Sequence, residues 1–263
     1  TPSRGSLLCG LYPHSAGLLT NNVPLSLNIP CLPEIGDFRA YRTCHNGKWH
    51  LGDEIFPQHG FQEWVGTEDL YRRHWRDWRD RDARSPYFHF LEEAGFQPDA
   101  TFSDGEPTFS RPFCCRLPEQ YSKPAFQGQE ASRYIREHAN EPFILYVNFL
   151  EPHQPYFGSR DEQYSPESVI LPPNYDMPPT EEQPLRQRLP MVTEADWRQL
   201  IAHYWGNVSL VDTYVGQILD TLAKCGLEDD TIVVFTSDHG DMMGSHRMAG
   251  KCTMFEESVK VPF

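Results

Sequence analysis

Residues 231–263 read TIVVFTSDHGDMMGSHRMAGKCTMFEESVKVPF, and this stretch decides the fold. Its first six residues, 231–236, are mostly apolar and rich in β-branched side chains, which predicts a buried strand of a parallel sheet. Asp238, His239 and Gly240 follow directly, so a carboxylate, an imidazole and a glycine stand at the C-terminal end of that strand. Ligands of open α/β sheets bind at this end of the strands. We therefore expect a binding site here, with Asp238 and His239 as possible cation ligands.

The segments upstream predict that this strand belongs to a parallel sheet. Residues 142–150 form a continuous apolar run, typical of a second buried strand. Thr193 can cap a long helix that continues to Cys225 and Gly226, with its apolar residues on one face. Strand, loop, helix and strand in this order form a crossover unit. The predicted fold class is therefore α/β, with a mostly parallel central sheet and helices on both faces.

The remaining segments predict shorter elements. Residues 2–10 and 31–39 are predicted helices, residues 41–46 a strand, and the proline-rich residues 165–190 an extended surface loop. Residues 53–140 are largely charged and aromatic without clear periodicity. We interpret them as an insertion that shapes a substrate pocket, with a solvated part between Tyr71 and Arg84.

Composition excludes several classes of partner. The chain has 263 residues and a formal net charge of −14, which argues against nucleic acid as a partner. No apolar run reaches the length of a membrane span, so no span is predicted. The seven cysteines are odd in number and no pair has the spacing of zinc ligands, so we interpret them mostly as free, buried thiols. Nothing in the sequence indicates an oligomeric state.

Four ordered segments resemble the sulfatases, in the alkaline-phosphatase superfamily. Thr1-Pro2-Ser3-Arg4 matches the last four positions of the family's Cys-x-Pro-Ser-Arg signature, and residues 47–52, GKWHLG, match a second signature. Residues 152–155, PHQP, follow the strand at 142–150, and SDHGD with the downstream Gly-Lys and EESVKVP strings completes the pattern within residues 231–263. The resemblance covers the whole chain and implies a sulfatase-like α/β fold.

The resemblance implies that residues 1–263 are a catalytic domain cut at both ends. The family's cysteine, which is oxidised to formylglycine and serves as nucleophile, is expected one residue before Thr1. Two further metal carboxylates are expected on a strand upstream of it, and a smaller C-terminal domain is expected after residue 263. The isolated chain is accordingly predicted to have no turnover.

The resemblance also assigns roles to residues of this sequence. It implies a divalent cation, most readily Ca²⁺ because the ligands are hard oxygens, with Asp238 and His239 as metal residues. It implies five catalytic residues that steady the nucleophile, hold sulfate oxygens or move protons: Arg4, Lys48, His50, His153 and Lys251. Asp241 is expected to cap its loop rather than to bind metal.

Two alternatives to sulfate-ester hydrolysis stay open. Phosphonate and phosphate ester hydrolases of the same superfamily handle a similar tetrahedral group, and residues 47–52 favour sulfate over them. A non-catalytic anion-binding pseudoenzyme is the alternative of another class. The substrate itself, a small-molecule or carbohydrate sulfate ester, is left open between carbohydrate sulfates, aryl sulfates and choline sulfate.

Overall fold

The computed structural model describes residues 1–177 and 193–263, and these fall into two compact units. The first unit comprises residues 1–155 and 210–231, and the second comprises residues 156–209 and 232–263. Among the described residues, no helix is long and apolar enough to cross a membrane.

The described elements follow the chain in this order. The helices are α1 (Pro2–Cys9), α2 (Leu32–Ile35), α3 (Pro86–Glu93), α4 (Arg111–Cys115), α5 (Lys123–Glu137), α6 (Glu194–Lys224) and α7 (Glu256–Val259). The strands are β1 (Arg42–Gly47), β2 (Glu63–Gly66), β3 (Ala100–Thr101), β4 (Pro107–Thr108) and β5 (Phe143–Asn148). Single 3-10 turns occur at Arg72–His74, Glu119–Tyr121, Pro166–Ser168 and Ser245–Arg247.

The first unit is built on a three-stranded parallel sheet in the order β2-β1-β5. Side chains alternate between its two faces, as the pleat of a strand requires. His45 of β1 packs on Trp64 and Tyr146 on one face, where residues that follow α1 complete an apolar cluster. Cys44 belongs to the cluster on the other face, with aromatic side chains of α3 and α5. This arrangement confirms the predicted α/β class with a parallel sheet.

Helix α6 begins and ends as predicted, and its last turns belong to the first unit. Gly128 of α5 lets Tyr214 approach closely, since a Cβ atom at position 128 would lie 2.9 Å from the Tyr214 ring. The Thr221 hydroxyl donates to the Ser132 hydroxyl at 3.1 Å. Residues 210–224 therefore pack along α5.

The second unit has its own apolar core on the first half of α6. Trp197 packs with Tyr156 and Ala249, and Ile201 packs with Val169. The predicted proline-rich loop begins within this unit, at residues 165–177, and its residues 178–190 lie outside the described residues.

The predicted strand at residues 231–236 is wrong for this structure. No ladder among the described residues includes this segment, and Ile232 is 92% and Phe235 63% exposed. An apolar, β-branched run becomes a strand only where a neighbouring strand pairs with its backbone groups. The three paired strands of the sheet, β1, β2 and β5, pair with one another instead.

Two further predictions need correction. The helix predicted at residues 31–39 is limited to Leu32–Ile35, since Gly36 leaves the helical conformation. The segment between Tyr71 and Arg84 is not wholly solvated, because Arg72 and Trp75 are buried.

Candidate active site at the end of strand β1

The end of β1 is fixed by backbone contacts to β5. Gly47 has a φ of 121°, and a Cβ atom there would lie 2.2 Å from the Asn148 carbonyl oxygen, so only glycine fits. The Lys48 amide donates to that same oxygen at 3.0 Å, and the Asn148 side-chain amide donates to the Lys48 carbonyl at 2.7 Å. The backbone of Lys48 is therefore held at a defined place on the sheet edge.

Arg4 meets this strand end from α1. The helix starts with Pro2 in its first turn and ends at Gly10 in the left-handed conformation, as the sequence predicts. The Arg4 side chain is buried, and its Nη1 donates to the Lys48 carbonyl oxygen at 3.1 Å. The structure thus brings together two of the predicted catalytic residues, Arg4 and Lys48.

Lys48 is a buried cation with charges of both signs around it. It is 3% exposed, and burial lowers its pKa to about 7. The Glu68 carboxylate opposes that shift, whereas the Arg111 guanidinium adds to it. The Lys48 ammonium can therefore lose its proton close to neutral pH, unlike a surface lysine.

His50 is held by its backbone and by its ring. Its amide donates to both carboxylate oxygens of Glu54, at 2.8 and 2.9 Å, and its ring stacks on Tyr71 with 4.6 Å between centroids. The ring Nε2 lies 2.9 Å from Asn22 Oδ1. An amide oxygen only accepts, so Nε2 carries the proton and Nδ1 presents its lone pair.

The electrostatics of His50 favour the neutral ring. Burial, followed by the positive charges of Lys48, of the amino group of Thr1 and of Arg4, lowers the pKa of His50 to about 2. A neutral imidazole with an available lone pair is the form that accepts a proton. The ring is therefore neutral and has no proton at Nδ1 to give, although a pKa this low also makes it a weak base in the free chain.

Two buried carboxylates that raise the pKa of Lys48 were not identified from the sequence. Burial raises the pKa of Glu54 to about 7, and its oxygens accept from the amides of Trp49 and His50. Glu68 accepts two 2.7 Å hydrogen bonds from Arg111 and one of 2.9 Å from the Lys123 ammonium. Burial alone would raise the pKa of Glu68, but these two cations hold it well below its usual value.

His153 follows β5, next to the strand that carries Lys48. Its amide donates to the Leu150 carbonyl at 3.0 Å, and its ring Nδ1 lies 3.0 Å from the Gln154 carbonyl oxygen. Since the carbonyl only accepts, Nδ1 carries the proton in this arrangement. β1 and β5 are parallel neighbours, so His153 leaves the sheet at the same edge as Lys48.

Asp238 and His239 lie together in the second unit. His239 Nε2 is 3.5 Å from Asp238 Oδ1, and His239 Nδ1 lies 2.8 Å from the Gly240 carbonyl oxygen. The carbonyl fixes the proton on Nδ1 and leaves the Nε2 lone pair beside the carboxylate. Gly240 is required here, because a Cβ atom would lie 2.0 Å from the Glu257 carbonyl oxygen.

These two side chains fit a divalent cation as part of its ligand set. An oxygen and a nitrogen 3.5 Å apart can both contact one ion at the usual distances of about 2.0–2.6 Å. Calcium takes about 6–8 ligands, so Asp238 and His239 would supply a minority of them.

Asp241 caps its loop, as predicted. One carboxylate oxygen accepts from the amides of Met243 and Gly250, at 3.2 and 2.7 Å, and the other accepts from the Tyr156 hydroxyl at 2.7 Å. Lys251 is half-buried and directly follows Gly250, so the Asp241 contact fixes the backbone next to it.

Comparison with known proteins agrees with the sequence motifs. The family model described as Sulfatase matches residues 1–263. The chain is 29% identical to an ulvan-active sulfatase of Formosa agariphila, an alignment that covers 100% of this chain and 46% of that protein. It is 28% identical to a choline-sulfatase of Rhizobium meliloti, with 99% and 52% covered.

A solved structure extends the agreement to the fold. The phosphonate monoester hydrolase of Silicibacter pomeroyi superposes with a TM-score of 0.72 at 20% identity, over 99% of this chain and 57% of that chain. At this identity the likeness concerns the fold alone. The chain spans about half the length of the curated relatives it matches. Because the family model matches from the first residue to the last, this chain belongs to the sulfatase family.

Proposed function

We propose that the protein containing this chain is a sulfuric ester hydrolase that cleaves sulfate monoesters. The observation that carries the proposal is the pair of buried cations, Arg4 and Lys48, joined through the Lys48 carbonyl at one strand end. Their motifs lie within a chain that the sulfatase family model matches throughout.

Each residue at the strand end has a distinct task in this proposal. The Lys48 ammonium holds an oxygen of the anionic sulfuryl group, and its buried setting makes that attraction stronger than it would be in water. Arg4 fixes the start of α1 against the strand end through its 3.1 Å hydrogen bond. His50 accepts a proton at Nδ1, since Asn22 occupies Nε2.

Two further residues are proposed to act on the sulfuryl group and the leaving oxygen. His153 is proposed as the general acid: with Nδ1–H donating to the Gln154 carbonyl, the doubly protonated ring gives its Nε2 proton to the leaving alkoxide and becomes neutral. Lys251 is proposed to hold a second sulfate oxygen, on a backbone fixed by Asp241.

The proposed reaction also needs a nucleophile and a divalent cation. We propose that the residue preceding Thr1 is the formylglycine nucleophile, and that Asp238 and His239 hold a divalent cation, preferably Ca²⁺. Such a cation neutralises developing negative charge and lowers the pKa of a bound hydroxyl.

The test is an assay of the full-length protein against matched sulfate and phosphonate esters of one leaving group. Turnover of the sulfate ester supports the proposal, and turnover of the phosphonate alone would assign the alternative activity within the superfamily. Absence of both activities in a protein with cysteine or serine before Thr1 would favour an anion-binding pseudoenzyme.

A variant ties the activity to this site. Lys251→Ala should lose activity on the sulfate ester while the bound metal content stays the same. Unchanged kinetics would remove Lys251 from the site. The ulvan-active and choline-sulfatase relatives make ulvan and choline sulfate natural substrates to test next to aryl sulfates.

A further inference from the structure

Three potential metal ligands from two separate segments meet in the first unit. The Cys31 sulfur, a Glu34 carboxylate oxygen and a His59 ring nitrogen all lie within 4.8 Å of one another. Cys31 immediately precedes α2, Glu34 lies within it, and His59 comes from the loop before β2. The chain therefore brings a thiol, a carboxylate and an imidazole to one point.

The burial of the His59 ring is the observation that indicates a ligand. Its side chain is fully buried, and neither ring nitrogen has a hydrogen-bond partner of good geometry among the described residues, although the Ile29 backbone and the Glu34 carboxylate lie near the ring. Glu34 Oε2 is 3.7 Å from Nδ1, beyond hydrogen-bond distance. Burial lowers the pKa of His59, and the nearby Glu34 carboxylate and Ile29 carbonyl offset only part of that effect. The ring is therefore neutral, which is the form that binds metals.

Helix capping accounts for only part of this cluster. Glu34 Oε2 accepts from the Cys31 amide at 3.0 Å, as in a capping box. In the same capping box the Cys31 side chain faces the Glu34 amide, so capping involves both of these residues but not the His59 ring. Gly60 brings the loop beneath Glu34, because a Cβ atom at position 60 would lie 2.7 Å from Glu34 Cγ. The loop of His59 is thus packed directly against the carboxylate.

We propose that Cys31, Glu34 and His59 bind one divalent transition-metal ion, with zinc as the preferred metal. Thiolate, imidazole and carboxylate are the ligands that zinc takes in proteins, at about 2.0–2.3 Å. Donor atoms within 4.8 Å of one another reach those distances with small shifts of the side chains. On binding, the sulfur–metal bond replaces the S–H bond, the proton passes to solvent, and water takes the fourth position.

This inference does not rest on the proposed sulfatase activity, because its ligand chemistry is different. Calcium takes hard oxygen ligands, whereas a thiolate selects zinc, cobalt or related ions. The proposed metal would join the start of α2 to the loop before β2 and so stabilise that part of the first unit. Sequence spacing does not reveal the site, because Cys31 and Glu34 are three residues apart and His59 follows 25 residues after Glu34.

Cobalt(II) titration of the full-length protein tests the proposal. We expect a thiolate-to-cobalt charge-transfer band that saturates at one equivalent per chain and is displaced by zinc. The band should be absent in Cys31→Ser and retained in Cys252→Ser, which removes an exposed thiol as the matched control. A missing band, or one that survives Cys31→Ser, overturns the proposal.

Two conservative variants separate metal binding from folding. Glu34→Gln keeps an oxygen that can accept from the Cys31 amide, and His59→Asn suits the left-handed φ of 52° at position 59. Each should weaken zinc affinity by at least about tenfold, measured by competition with a chromophoric chelator. Circular dichroism of the metal-free variants checks that they are folded. Wild-type zinc affinity in both variants would assign the cluster to helix capping alone.

Discussion

Glu68→Gln removes the carboxylate that accepts hydrogen bonds from both Arg111 and Lys123. Glu68 is almost fully buried, accepts three hydrogen bonds of 2.7–2.9 Å from these cations, and also raises the pKa of Lys48. Glutamine has nearly the same shape, so the substitution changes charge and hydrogen bonding with little change in packing. Its amide nitrogen can only donate and would face donors of Arg111 or Lys123.

The expected cost is large because the cations stay buried after their partner is lost. Breaking a buried ion pair by removing one partner lowers the free energy of unfolding by about 3–5 kcal/mol. The same change at Glu141, which pairs with Arg42 at 2.9 Å on the surface, should leave stability unchanged. In the double variant Glu68→Gln with Lys123→Met, we expect the combined loss to fall short of the sum of the single losses by about 0.5–3 kcal/mol.

The pH dependence of this effect has a defined sign. The folded-state pKa of Glu68 lies well below its ordinary value of 4.5, so its stabilisation is present above that pH and is lost as the pH falls through the folded-state value. The difference between wild type and Glu68→Gln should therefore be full at neutral pH and shrink under acidic conditions.

Urea unfolding of wild type, Glu68→Gln and Glu141→Gln, at neutral pH and over a series of acidic pH values that extends well below 4.5, measures both effects. A loss below about 1 kcal/mol at neutral pH, or a loss equal to that of Glu141→Gln, would refute the reasoning. Such a result would mean that Arg111 and Lys123 find other partners or water when Glu68 is neutral.

Three further predictions concern the strand end and the Asp241 loop. Lys48→Met should lower kcat/KM for a sulfate ester by about 10²–10³-fold. In a steady-state pH profile, the KM of the wild type should rise as Lys48 loses its proton above about pH 7, and the KM of the variant should lack this rise. Gly47→Ala should lower the free energy of unfolding in urea by about 1–3 kcal/mol, because its Cβ atom would meet the Asn148 carbonyl at a φ of 121°. Asp241→Ala should cost about 1–3 kcal/mol for each buried donor left without an acceptor, and hydrogen exchange of the Gly250 amide should accelerate.

Local sequence patterns predicted the helices α1 and α6 and the strand β5. α6 follows its apolar stripe from Glu194 to Lys224, and β5 follows the apolar run at 142–150. α1 follows from Pro2 and Gly10, whose backbone preferences suit a helix start and a left-handed end. In each case the residues of the element themselves favour the observed conformation.

Local sequence patterns did not predict which strands pair or which charged side chains form ion pairs. Residues 231–236 have strand-like composition, yet the strand needs a neighbour, and composition does not say which strand supplies it. Glu68 presents the same difficulty for side chains, since its partners Arg111 and Lys123 are 43 and 55 residues away. The composition of 53–140 predicted an insertion with a solvated part at 71–84, and it did not reveal that Glu68 is buried and compensated by Arg111 and Lys123.

The site motifs were visible for a different reason. Arg4, Lys48 and His50 belong to short strings whose order matched a known family, so the sequence could indicate these residues without any knowledge of their contacts. Asn22 and Glu54 act instead through hydrogen bonds to His50. Neither residue belongs to a sequence motif that would identify it. A proton acceptor at His50 could be proposed from the motif, but its reactive nitrogen is indicated only by the Asn22 contact.

The charges around Lys48 explain why an anion is the fitting occupant of this strand end. Glu68 compensates Lys48 only in part, because its oxygens already bind Arg111 and Lys123. Glu54 carries only part of a negative charge near neutral pH, since burial raises its pKa to about 7. An anionic group placed against Lys48 would favour its protonated form and so raise the pKa that burial lowers. The same burial that weakens Lys48 as a cation in the free protein would therefore strengthen its attraction to a bound sulfuryl oxygen.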